Sequence, residues 1–355
     1  MQPFRRLSAA RITPLPEAEW TDAQRALAQK YAPDGNPGNA LRTLVRVPDL
    51  ADRVFPFLSY VANESTLSAR HREILILRTA WLAQNASLWA THALRAAEAG
   101  LTAEEVLQIA EGPSSERWDP FEDALVGLAD QLFGNSSVTD ETWAALSERY
   151  SLHNMMDAVV TVSDTTALSI VLNSFGVQPD DGASARLPTN DVAYRVVVPE
   201  RAPPLTTPRV APVEGPGLRI SRTRQRHPAL ADAWSANPAY VNNPERSGLM
   251  PHDRELLILR TGWNTQAVYE WAKHVGSVGR ARDHGLDPLW IAQGEDAPDW
   301  NANERALIQA ANEMYRDTMV SDQTWGTLAE RYTPHQMMSI VATVARYRRV
   351  SLTLN

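Results

Sequence analysis

The sequence predicts an all-α fold built from two tandem helical units joined by a long extended linker. Three observations carry this expectation. Helix-length apolar segments alternate with short polar breaks, and strand-like alternation is scarce. Rare residues recur at one fixed spacing through most of the chain. A stretch rich in Pro, Gly, Thr and Asp, residues 176–217, separates the two copies. The expected organisation is an N-terminal arm and first helical repeat over 1–175, a linker over 176–217, and a second helical repeat over 218–355.

The repeat is legible residue by residue. Glu73-Ile-Leu-Ile-Leu-Arg78-Thr79-Ala80-Trp81 returns as Glu255-Leu-Leu-Ile-Leu-Arg260-Thr261-Gly262-Trp263, 182 residues later. The same offset places Trp89 on Trp271, His92 on His274, Trp118 on Trp300, Trp143 on Trp325, His153 on His335 and Met155-Met156 on Met337-Met338. Upstream the offset is 180, matching Pro48-x-Leu50-Ala51-Asp52 with Pro228-x-Leu230-Ala231-Asp232. A period this long describes two units of one design, not a solenoid.

Each element has its own signal. Leu67 to about Ala83 reads as a helix with Ser68 as N-cap. A second runs from about Ser87 to Ala99 and ends at Gly100. Thr102-Ala103-Glu104-Glu105 has the pattern of a capping box opening a third. Pro120 to Phe133 is a fourth, closed by Gly134-Asn135, and Thr139 starts a fifth. His153 to Leu172 is a sixth, apolar enough to be a core helix and too short to span a membrane. The second repeat follows the same plan from Pro251 to Leu354. In the linker, Val192 to Val198 is expected either to pair as a short strand or to lie extended across a helical surface, within an otherwise mobile connection.

Composition removes whole classes of chemistry. The chain has no Cys, which excludes disulfides, Cys-ligated zinc, iron–sulfur clusters and a cysteine nucleophile. Only Lys30 and Lys273 are lysines, so Schiff-base chemistry has almost no candidates. A net charge of −8 argues against a nucleic-acid surface. The N-terminus lacks the apolar core of a secretory signal, so the expected location is cytoplasmic, with no membrane partner.

The pattern Glu–Leu–x–Ile–Leu–Arg–x–x–Trp, followed by Tyr269-Glu270-Trp271-x-x-His274 and a long final helix, resembles the carboxymuconolactone decarboxylase family, which shares its helical unit with the AhpD-type hydroperoxidases. The resemblance spans both repeats. In the redox members the motif runs Glu-x11-Cys-x2-Cys-x3-His. Here the two cysteine positions fall on Asn85 and Leu88 in the first repeat, and on Ala267 and Glu270 in the second. Thiol peroxidase chemistry is therefore excluded, because the thiolate is the reacting atom. The second repeat looks like the non-redox branch, whose signature glutamate stands where Glu270 stands.

Glu270 and His274 are i and i+4, on one helical face, and the resemblance implies that Glu255 approaches His274. Two carboxylates and an imidazole suit proton abstraction beside a carbonyl, protonation of an enolate, or lactone chemistry. The expected catalytic set is thus Glu255, Glu270 and His274, with Tyr269, Trp271, Trp263 and Arg260 as substrate contacts. Glu73, Asn85, Ser87 and His92 form the corresponding secondary site of the first repeat. The expected function is a cofactor-free acid–base enzyme acting on a small carbonyl or carboxylate compound by decarboxylation, isomerisation or lactone chemistry, with no metal. The alternatives are a recruited cyclase, hydratase or dehydratase of secondary metabolism, or a non-catalytic ligand-binding helical assembly. The resemblance also implies a homo-oligomer, a trimer or a dimer.

Overall fold

The computed structural model describes residues 6–113, 118–189, 191–201, 205–235, 240–279 and 281–355. Among them are eighteen α-helices, three 3₁₀ turns and no β-strand. The first set includes α1 (Pro48–Asn63), α2 (Ala69–Leu82), α3 (Ala86–Glu98), α4 (Pro120–Asn135) and α5 (Leu152–Phe175). The second includes α6 (Arg219–Arg224), α7 (Pro251–Asn264), α8 (Val268–Val275), α9 (Ala302–Asp317) and α10 (Pro334–Leu354), with shorter helices between.

Each set wraps one central helix. In α2 every residue from Glu73 to Leu82 is buried, because α3, α4 and α5 pack around it. α7 occupies the same place among α8, α9 and α10. A helix surrounded on all sides must pair its charges internally, and Arg78 does so. Its Nε and Nη2 donate to the two carboxylate oxygens of Asp130 at 2.6 and 2.9 Å, and its Nη1 to the carbonyls of Ile109 and Ala110. A β-carbon on Gly112 would stand 2.6 Å from that guanidinium, so glycine is required there. Arg260 repeats the clamp with Asn312 in place of Asp130, and with the carbonyls of Ile291 and Ala292.

The 182-residue correspondence extends to backbone conformation. The four non-glycine residues of positive φ among those described are Gln84, Ser136, Gln266 and Thr318. They form two pairs at the 182-residue offset, each just past a helix C-terminus, where a left-handed residue closes the last turn. Caps fall largely where the sequence places them. Ser68 accepts from the His71 amide, Thr102 and Glu105 form a reciprocal capping box, and Thr139 caps Asp140–Ser147. α4 differs. It runs through Gly134 and Asn135 and is closed by Ser136 at φ 58°. α5 is also longer than its apolar run, at 24 residues. It is the one described helix long and apolar enough to cross a membrane, and 89% of that apolar window is buried inside the fold.

The two sets share their interior. α5 and α10 lie along each other, and Arg349 of α10 reaches Asp164 of α5 at 2.8 Å. Arg348 donates to the Ser136 hydroxyl and the Phe133 carbonyl, each at 2.7 Å. Ile12, Leu15 and Trp20 of the N-terminal arm, together with Phe175, enter the same apolar cluster as Leu257, Ile308 and Val344. His227, which precedes Pro228–Ser235, inserts beside Tyr60 of the first set. Tyr60 donates to Asp157 at 2.6 Å and meets the His227 ring nitrogen at 3.1 Å.

The linker is fastened where the sequence suggests mobility. Residues 192–198 lie extended, not paired as a strand. Tyr194 donates its hydroxyl to the Leu82 carbonyl, the Arg195 carbonyl accepts from Arg78, and the Val197 amide donates to Asp130. Tyr194 also stacks obliquely over Trp81, which is fully buried as a result of this cover and its own core neighbours.

Candidate active site

The second set brings its three predicted catalytic residues together. Glu255 lies in the first half of α7, fully buried, and Glu270 and His274 are one turn apart on α8. His274 presents Nδ1 to a Glu255 oxygen, and Nε2 to Glu270 Oε1 at 3.0 Å. The imidazole is therefore held at both nitrogens by carboxylates. Arg254 Nη2 stands 3.4 Å from the other Glu255 oxygen. The ring of Tyr347 from α10 meets His274 edge-on, at 5.2 Å and 90°. Gly279 closes the far side. A β-carbon there would overlap the Glu255 carboxylate, so only glycine leaves room for it.

Burial, the largest single influence on His274, favours the neutral ring. Hydrogen bonds to Glu255 and Glu270 and the charges of both carboxylates outweigh it, and the imidazole is pushed up to about 9. At neutral pH the site thus holds an imidazolium between two acids. Burial pushes the Tyr347 hydroxyl upward, so it stays a neutral donor, directed to Asn242 at 3.2 Å.

The expected substrate contacts divide. Tyr269 adjoins the trio, and its hydroxyl is buried with no hydrogen-bond partner among the described residues. Trp271 packs against Trp263, ring centres 5.4 Å apart, and Trp263 remains 46% exposed. Arg260 makes no hydrogen bond or ion pair with the trio among the described residues and bonds elsewhere. Its Nε donates to Asn312 and its Nη1 to two carbonyls of the second set, in the clamp described above.

In the first set Glu73 and His92 meet at 2.7 Å through His92 Nδ1. Leu88, buried, stands where Glu270 stands, so the other ring nitrogen lacks a carboxylate from this helix. Asn85 is a helix cap. Its Oδ1 accepts from the Leu88 amide at 2.8 Å, and its amide donates to Asn173 at 3.0 Å. Ser87 is buried on α3, and no hydrogen bond of its side chain joins it to the Glu73–His92 pair.

Residue-by-residue reading of motifs missed Tyr347 of α10 and Gly279. A signal existed. At the 182-residue offset Asp164-Thr165-Thr166-Ala167 becomes Arg346-Tyr347-Arg348-Arg349, a block of long polar side chains inside an apolar helix.

No curated protein and no solved structure matches the chain. A family model does, over residues 48–130, which run from α1 into α4 and include Glu73 and His92. The family model is that of the carboxymuconolactone decarboxylase family, and residues 48–130 are similar to it.

Proposed function

We propose that this protein is a cofactor-free acid–base enzyme whose working site is the Glu255–His274–Glu270 trio of the second repeat. The observation that carries the reading is the double clamp on His274, one carboxylate at each ring nitrogen. Such a ring is a proton donor at rest, and either glutamate can take a proton in return. The family reading adds the substrate type, a small carbonyl or carboxylate compound.

Applied to a 3-oxo or vinylogous acid, the sequence of events balances as follows. The bond between the carboxylate carbon and its neighbour breaks, carbon dioxide leaves, and the electron pair moves into the adjacent carbonyl to give an enolate. His274 delivers its proton to the enolate carbon. The neutral ring, still oriented by Glu255, recovers a proton from solvent. Isomerisation uses the same parts, with a glutamate removing a proton and His274 returning one. The trio is buried, which strengthens each of these interactions relative to water.

The test is a panel of 3-oxo acids and unsaturated lactone acids in deuterated water, followed by NMR for loss of carboxyl and gain of carbon-bound deuterium. Wild type is expected to turn over at least one compound class. His274→Ala and Glu270→Gln are expected to lower that rate by about 100-fold or more. Wild-type rates in both folded variants contradict the assignment. Binding without chemical change across the panel favours the ligand-carrier reading.

A further inference from the structure

A cleft opens between α1, α5 and α10, its empty volume of about 510 Å³ including the solvent at its mouth. Its body is apolar, formed by Leu50, Val54, Leu168 and Val171. Its rim is cationic, with Arg53, Arg346 and Arg349 facing one carboxylate, Asp164. Arg349 is committed. It pairs with Asp164 at 2.8 Å and lies against the rings of Phe57 and Trp234. Arg346 is not, since no hydrogen bond or ion pair holds it among the described residues. Arg224 of α6 joins the cluster from the other side, stacked 3.2 Å over Trp234, and its Nη2 is buried without a partner. Cation therefore exceeds anion where water is scarce.

The cluster meets the trio along α10, where Arg346 directly precedes Tyr347, whose ring lies against His274. Glu270 lies close enough to Arg346 and Arg224 to favour the charged form of each. Burial works the other way, and repulsion from Arg349 and Arg346 adds to it, so Arg224 falls to about 8. The offset between repeats shows how the excess arose. Arg346 stands where the first repeat has Asp164, and Arg349 where it has Ala167. The cleft thus takes Asp164 and Arg53 from one repeat and Arg346 and Arg349 from the other.

We propose that this cleft is a substrate subsite for an amphipathic oxyanion, a hydrocarbon body with one carboxylate or phosphate head, which Arg346 holds next to Glu270. A free guanidinium offers two parallel donors to such a head, and the apolar walls take the body. The inference rests on the acid–base reading of the trio, and it makes the second repeat's site incomplete without α1 and α5 of the first.

Calorimetric titration of the full chain tests it with octanoate, octyl phosphate and 1-octanol. One of the two anions is expected to bind at least about tenfold more tightly than the alcohol, and added salt is expected to weaken that binding. The tighter of the two identifies the head group. Arg346→Gln is expected to lose at least about tenfold in anion affinity while binding octanol unchanged, and Arg346→Lys to fall between. Equal affinity for octanol and both anions overturns the proposal, as does an unchanged anion affinity in folded Arg346→Gln. If Arg346→Gln does not fold, the anion preference of the wild type and the intermediate affinity of Arg346→Lys decide. His274→Ala is expected to keep anion binding and lose turnover, so failure of the subsite follows Arg346 and failure of the acid–base reading follows His274.

Discussion

Glu73–His92 and Glu255–His274 sit on the same backbone, 182 residues apart, yet they are different devices. The first is a pair whose third position is Leu88. The second is a trio, with Glu270 on the free nitrogen and Tyr347 against the ring. The clamps differ in the opposite sense. The first repeat buries a full ion pair, Arg78–Asp130, and the second replaces its acid by Asn312. The surfaces differ too. Trp81 lies under the linker, and Trp263 is nearly half exposed. The first repeat has put its buried charge into an arginine clamp, and the second holds an imidazole between two carboxylates.

That contrast can be broken at four places. The largest effect is expected at Asp130→Asn, which leaves the Arg78 guanidinium buried without its counter-charge. Unfolding in denaturant should show a loss of about 3–5 kcal/mol. Asn312→Ala, at the matching position, removes only a neutral partner and should cost about 1–3 kcal/mol. Equal losses would remove the distinction between the clamps.

The next effect is alkaline. The folded-state value for His274, about 9, is above its ordinary 6.5. Its contribution to stability is therefore complete below pH 6.5 and is lost as the pH rises through 9. The amount is on the order of 3 kcal/mol. Chemical denaturation between pH 6 and 10 should show this loss in wild type and a smaller one in Glu270→Gln.

Turnover separates the repeats next. On any substrate found for the protein, Glu73→Gln and His92→Ala should reduce the rate by less than about tenfold, against about 100-fold or more for the trio. A larger loss in the first repeat would reverse the assignment of roles. The smallest effect belongs to the surface. Tyr194→Ala uncovers Trp81 and should lower stability by about 1–2 kcal/mol in thermal unfolding, whereas Trp263→Ala should cost less than Tyr194→Ala.

The helices, their order and the Glu–His core of the site could be read from the sequence because each rests on local or repeated signals. Ser68, Thr102 and Thr139 act over one turn, and the trio follows from a motif plus helical spacing. What escaped was set by distance. Arg260 looks close to Glu255 along the chain, but five residues turn a helix by about 140°, to another face. Asn85 reads as a polar binding residue and is used as a cap, because it immediately precedes α3. The linker's Pro and Gly residues suggest freedom, yet Tyr194 and Val197 find partners on α2 and α4 that no local pattern encodes. Tyr347 enters the site from a helix some 70 residues beyond His274. Only packing brings it there.

The central claim is that His274 is a buried imidazolium held by two carboxylates. Its ring can be followed directly by NMR of histidine-labelled protein across pH 5 to 10, with His274→Ala identifying the signal. The account predicts a midpoint near 9 in the wild type and a lower one in Glu270→Gln. A wild-type midpoint at or below 6.5 would contradict it.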